Sequence, residues 1–178
     1  MWKKWVFMFT AIFMIALFAG CSSSAEDELV TLQNDMKDNI GEPLSDIEEE
    51  FDQKSGEVDS GGLTPDDFVT YYDEEVQPAI DEMRQYIDDY DEPTTEDAKE
   101  YYTVLTDGLY LALDMLDKFA EFMTVLVDES ASEDDIFEIG SEIDQLIEGL
   151  DEKDKELQKL KKKLEEEYDI EFEEFNLE

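Results

Sequence analysis

The chain has no histidine and a single cysteine, Cys21, among 178 residues. Without histidine it lacks the commonest general base at neutral pH and the commonest transition-metal ligand. A lone cysteine cannot close a disulfide within the chain, so the fold must stand on packing alone. Neither a phosphate-cradling glycine loop nor a nucleophile elbow occurs. Bases are the other shortage: 13 Lys and Arg face 52 Asp and Glu, a formal net charge of −39. Phosphate contacts need basic surface, so nucleic acid is excluded as a partner. A surface of this kind attracts cations and repels other acidic surfaces. A carboxylate pair can cleave a glycoside, but among so many acids a pair at any chosen spacing arises by chance. The residues therefore point away from an enzyme, with no catalytic residue, cofactor or metal ligand to assign.

What is present is most specific at the amino terminus. Met1-Trp2-Lys3-Lys4 is a short basic start. Trp5 to Gly20 is an apolar run of sixteen residues without a charge, and Phe18-Ala19-Gly20-Cys21 closes it. A basic start, apolar middle and small-residue exit are the three parts of a secretory signal. The run is shorter than the ~20 residues of a membrane-spanning helix. Phe18-Ala19-Gly20-Cys21 resembles the lipobox of bacterial lipoproteins. The resemblance implies cleavage before Cys21, a diacylglycerol on Cys21, and display on the extracytoplasmic face of the cell membrane. It implies a signal peptide over residues 1–20 and a lipidated tether over 21–25. The general type is similar to the small helical lipoproteins of Gram-positive cell surfaces.

Beyond the tether, apolar residues recur at the spacing of helix faces. The first stripe is Leu29, Leu32, Met36, Ile40, Leu44, Ile47 and Phe51. It predicts a helix over about 26–54, kinked or broken at Gly41 and Pro43, before a Gly- and Ser-rich loop over 55–63. Thr64-Pro65-Asp66-Asp67 is a strong start signal for a second helix: a cap, a proline suited to the first position, and acids at the positive end. Its face is Phe68, Tyr72, Val76, Ile80, Met83, Ile87 and Tyr90, bent at Pro78. After the turn at 91–93, Thr94 or Thr95 caps a third helix. It runs to about Val127, and its stripe carries Ala98, Tyr102, Leu105, Leu109, Ala112, Leu116, Phe119, Met123 and Val127, widened by Leu113, Ala120 and Leu126. Ser132 and Asp135 read as a capping box with Asp in place of Glu. They open a fourth helix to about Tyr168.

Four such helices with short connections predict an all-α, elongated antiparallel four-helix bundle over 26–168. The alternative is a three-helix bundle with a loose first helix. Residues 169–178 read as an acidic, aromatic tail. The expected centre of the core is Leu105, Leu109, Leu116 and Ile143.

Asp89, Asp91, Asp97 and Glu100 fall at four ligand positions of an EF-hand loop, yet Thr94 stands where that loop needs glycine. No metal site is assigned. Six of the 13 bases lie between Lys153 and Lys163. Lys159, Lys161, Lys162 and Lys163 are candidates for contact with an anionic surface, set against ordinary pairing with neighbouring acids. In the adjacent pairs Tyr71-Tyr72 and Tyr101-Tyr102, one ring of each must leave the core face.

The expected function is a non-enzymatic binding or scaffold module, held to the cell membrane by lipid, with an envelope protein or wall polymer as partner. The alternative is an acidic cation-binding surface protein. Cleavage at Cys21 removes two lysines and no acid, which leaves a net charge of −41. That charge repels itself, and salt screens it. The melting temperature is expected to rise from low to molar sodium chloride; a flat or falling curve counts against a fold limited by its own charge.

Overall fold

The computed structural model describes residues 24–128 and 130–172. The apolar leader, Cys21 and the last residues of the tail lie outside that range. The described elements are α1 (Ala25–Met36), a π turn over Lys37–Gly41, α2 (Glu42–Asp59), α3 (Pro65–Tyr71), a second π turn over Tyr72–Val76, α4 (Gln77–Asp89), α5 (Glu96–Val127) and α6 (Glu133–Tyr168). There is no strand among the described residues. The π turns join their flanking helices end to end, so the eight elements make four long rods. The protein is an all-α bundle, and its first rod is not loose. Leu29, Leu32, Met36 and Ile40 are 0–1% exposed, which removes the three-helix alternative.

Both expected kinks are π turns. A proline has no N–H to give the carbonyl four residues back, and its ring crowds that carbonyl. A π turn inserts one extra residue ahead of the proline and relieves the crowding. Pro43 and Pro78 each follow a π turn by two residues. The wide bonds run from the Glu42 N–H to the Lys37 carbonyl and from the Gln77 N–H to the Tyr72 carbonyl. The helix continues past both prolines instead of breaking.

The ends of the rods follow local rules. Gly61, at φ 75°, sits in the left-handed region that glycine tolerates without strain. The N–H of Gly62 reaches the Glu57 carbonyl at 2.8 Å, and that of Gly61 reaches Val58 at 3.0 Å. This pair of bonds is a Schellman closure. It carries the first rod to Asp59, five residues beyond the expected end, and leaves a shorter loop. Thr64 caps α3 through the Asp67 N–H, and Ser132 with Asp135 forms a complete capping box on α6. At the far end of α6, Asp169 takes a left-handed conformation and turns the chain back. The Phe172 N–H then reaches Glu165, and Ile170 and Phe172 pack on the core. The start of the expected tail is thus part of the bundle.

Helix α5 is the hub. It packs against α1, α3, α4 and α6. The start of α1, the corner at 90–95 and the end of α6 lie together, since Glu28 bonds Thr94 and Thr95 while Tyr168 and Lys163 bond Asp97. The loops at 60–64 and 128–132 lie toward the opposite end. The topology is up-down-up-down.

Three expectations about the core are corrected. Tyr101, not Tyr102, is the fully buried ring. The face of α5 runs through Ala98, Tyr101 and Leu105, and Phe172 covers Tyr101 at 4.7 Å between ring centres. Tyr102 lies half-buried on the flank and stacks on Tyr90. Leu126 is 48% exposed. Ile143 is buried, yet it lies outside the contiguous core. Helix α6 packs mainly against α5, and Phe137 and Ile147 in its first half are exposed.

Tyrosine hydroxyls cross-link the rods. Tyr72 donates to Asp117, Tyr90 to Asp35, Tyr110 to Asp88 and Tyr168 to Asp97. Tyr86 accepts from Asn39 at 3.2 Å. The only arginine, Arg84, bridges Asp114 at 2.6 Å and Asp117 at 2.7 Å. The Tyr101 hydroxyl is buried with no hydrogen-bond partner among the described residues.

Two outcomes follow from this packing. Leu109→Ala is expected to cost about 2–5 kcal/mol, and Ile143→Ala clearly less, because a cavity under one covering helix collapses more easily. Equal losses in denaturant unfolding would contradict the hub arrangement. The second concerns alkali. Burial, followed by nearby acids, pushes the Tyr71 and Tyr110 hydroxyls up to about 12; for Tyr168 the Asp97 bond is the first cause. A pKa raised in the fold contributes stability that is intact below the unfolded value near 10 and lost as pH rises through the folded one. Unfolding midpoints should therefore hold between about pH 8 and 10 and fall between about 10 and 12. A Tyr110→Phe chain should lose part of that slope.

Candidate functional site

Two regions of the bundle combine charge with accessible surface. The first is the end that carries the chain start. There Glu28 of α1 reaches across to the start of α5. Its carboxylate accepts from the Thr95 N–H at 2.8 Å, the Thr95 hydroxyl at 2.7 Å, the Thr94 N–H at 3.2 Å and the Thr94 hydroxyl. Thr95 makes no side-chain cap of its own. The expected local cap is thus replaced by one from another helix. A carboxylate there satisfies orphan N–H groups and favours the positive helix end.

The four candidate lysines lie near this end but do not act alike. Lys161 is 4% exposed and sits 6.0 Å from the centre of the Phe172 ring. It is therefore withdrawn as a surface contact. It falls in the stripe with Leu157, Leu160 and Leu164, and its stem is buried as an apolar chain. Lys163 bridges Asp97 and Glu100, each at 3.3 Å, and those bonds hold its ammonium above the usual range. Lys159 and Lys162 are exposed. Asp97 and Glu100, two of the EF-hand-like positions, are engaged with Lys163, and Asp97 also with Tyr168. No group of three or more metal-ligating side chains among the described residues has the arrangement to hold an ion.

The second region was not among the candidate sites read from the sequence, although Phe51, Phe68 and Phe119 were read as core. A cleft of about 760 Å³ opens between α2 and the distal half of α5. Phe51, Phe68, Phe119 and Phe122 line it, with Met115 and Met123. The rings of Phe51 and Phe68 meet edge to face at 5.1 Å, and Phe119 lies 6.1 Å from Phe51. On the α2 side stand Glu48, Glu49 and Asp52, with Ser45 and Ser55. Burial, reinforced by the charge of Asp52, pushes the Glu48 carboxyl up to about 7. The cleft therefore has one apolar wall and one acidic wall. Such a concave, mostly apolar pocket with a perturbed carboxyl is the usual form of a ligand site.

The sequence held one signal for it. Glu48 stands four residues after Leu44 and three before Phe51, so an acid sits at the spacing of an apolar stripe. The other wall was hidden. Phe122 and Met115 lie off the stripe that marks the α5 core.

Comparison with family models, curated proteins and solved structures finds no match. No helix among the described residues is long and apolar enough to cross a membrane.

Glu48→Gln separates the cleft from the general acidity of the surface. With its pKa raised from 4.5 to about 7, Glu48 contributes stability that is full below about 4.5 and lost as pH rises through 7. The Gln variant should match the parent near pH 4.5. Near pH 8 it should be more stable by about 1–2 kcal/mol, a figure reduced for partial solvent screening. Equal melting curves at pH 8 would show that Glu48 is fully solvated.

Proposed function

We propose that this protein is an extracytoplasmic lipoprotein, anchored through lipid on Cys21, that serves as a non-enzymatic binding module of the cell envelope. The observation that carries the reading is the sequence Phe18-Ala19-Gly20-Cys21 behind an uncharged apolar run and a basic start. The polarity of the rod agrees with it. Ala25 begins α1 four residues after Cys21, so the helix start is tied close to the anchor. Lys159 and Lys162 are exposed near the same end, where anionic headgroups attract each by ~1 kcal/mol. The cleft lies farther along. Glu48 is 23 residues beyond Ala25 along the first rod, ~35 Å at 1.5 Å per residue. The binding surface thereby stands clear of the headgroups, toward an envelope protein or wall polymer.

One lipid chain anchors marginally and two hold stably. Cys21→Ser is therefore expected to abolish labelling by a fatty-acid probe, block precursor processing and release the chain from the membrane fraction. Normal processing and partitioning of the variant would defeat the lipoprotein reading.

A further inference from the structure

We propose that the cleft between α2 and α5 binds an amphiphilic organic cation, a molecule with one ammonium-type head and an apolar body. The inference deepens the binding-module reading and rests on it, though not on the lipid anchor. Its basis is the two-sided chemistry of the cleft. The α5 wall offers Phe119, Phe122, Met115 and Met123, which suit an apolar body. Methionine adapts to irregular shapes, so this wall can follow a ligand closely. The α2 wall offers Glu48 flanked by Glu49 and Asp52, which suits a single positive head and rejects an anion.

The volume agrees. About 760 Å³ falls within the ~300–1,000 Å³ of pockets that enclose small ligands. The aromatic faces agree as well. A cation near phenylalanine rings is attracted by their negative faces, and more strongly once desolvated. Glu48 itself supplies the sharpest argument. An apolar residue at that position would continue the stripe of Leu44, Ile47 and Phe51. An acid there carries a burial penalty that a bound cation relieves. The net acidity of the chain raises the local concentration of cations around the opening.

The test uses the full chain in discs of zwitterionic lipid, with empty discs as the blank. Benzyltributylammonium is the cationic probe, and the neutral amide N,N-dibutylbenzamide is its uncharged counterpart. Calorimetry at physiological ionic strength is expected to show saturable one-to-one binding of the cation, at least about tenfold tighter than the amide. Glu48→Gln should erase that preference, and Ser45→Trp should block both probes by filling the cleft. Glu74→Gln, on the exposed surface of the second rod, should leave binding unchanged. Circular dichroism checks that each variant keeps its helix content. Non-saturating uptake of the cation overturns the proposal, since that is the behaviour of a diffuse ion atmosphere. So does equal binding by parent and Glu48→Gln. Tight capture of a basic amphipathic helical peptide with no binding of the small cation also overturns it, in favour of a helix-docking groove. Lipid labelling at Cys21 is read separately, so failure here leaves the anchor untouched, and failure there leaves the cleft untouched.

Discussion

A scarcity of positive charge shapes the polar contacts between the rods. With four acids for each base, most carboxylates cannot find an ammonium or guanidinium. Some of them take neutral donors, alone or beside a base. Four tyrosine hydroxyls and two threonines bind carboxylates of neighbouring helices. A phenol is well suited to such a bond, because its ring adds to the core while its hydroxyl reaches the wet edge where the acids stand. Hydrogen bonds to ionised groups are the stronger kind. The bundle thereby gains cross-links without the entropy cost of fixing two long charged chains.

Four of the 13 bases sit where two acids meet. Arg84 joins Asp114 and Asp117, Lys118 joins Glu121 and Glu142, Lys153 joins Asp107 and Glu156, and Lys163 joins Asp97 and Glu100. Each of these pairs includes a residue of α5. The charges therefore reinforce what packing began, with α5 as the element to which the others are fastened. Where fastening runs out, surface opens. Over its first half α6 leaves Phe137 and Ile147 exposed, and the α2–α5 cleft with Glu48 opens at the level of the bundle that this half spans. An acid that would be intolerable in a closed core is accommodated in this half-open place.

The fold was largely legible in the chain. The stripes, the Thr64 cap and the Ser132–Asp135 box each depend on residues within one or two turns of one another. Even the π turns left a trace. Leu32, Met36, Ile40 and Leu44 advance by four at every step, as do Phe68, Tyr72, Val76 and Ile80. That advance is wider than the 3.6 of a regular helix, and in both runs a proline falls within the last step. The site was much less legible. Glu48 shows in the sequence as an acid at stripe spacing, but Phe122 and Met115 look like ordinary flank residues. Lys161 looked like its neighbours Lys162 and Lys163. Its place at stripe spacing between Leu157 and Leu164 was a signal, and the Phe172 ring folding back beside it shows why the position is buried.

The sequence by itself determined what short-range chemistry can write: four amphipathic rods, their caps, the kinks at two prolines, the extreme acidity and the lipobox-like start. Apolar periodicity and capping act over a few residues, so they can be read without knowing the neighbours. Tertiary structure decided which tyrosine of each pair is buried, which lysines reach water, that Glu28 caps a helix some 66 residues away, and where the bundle stays open. These depend on which faces meet. That is settled by packing between segments distant in sequence, where a rotation of one residue along a helix turns a core side chain into a flank one.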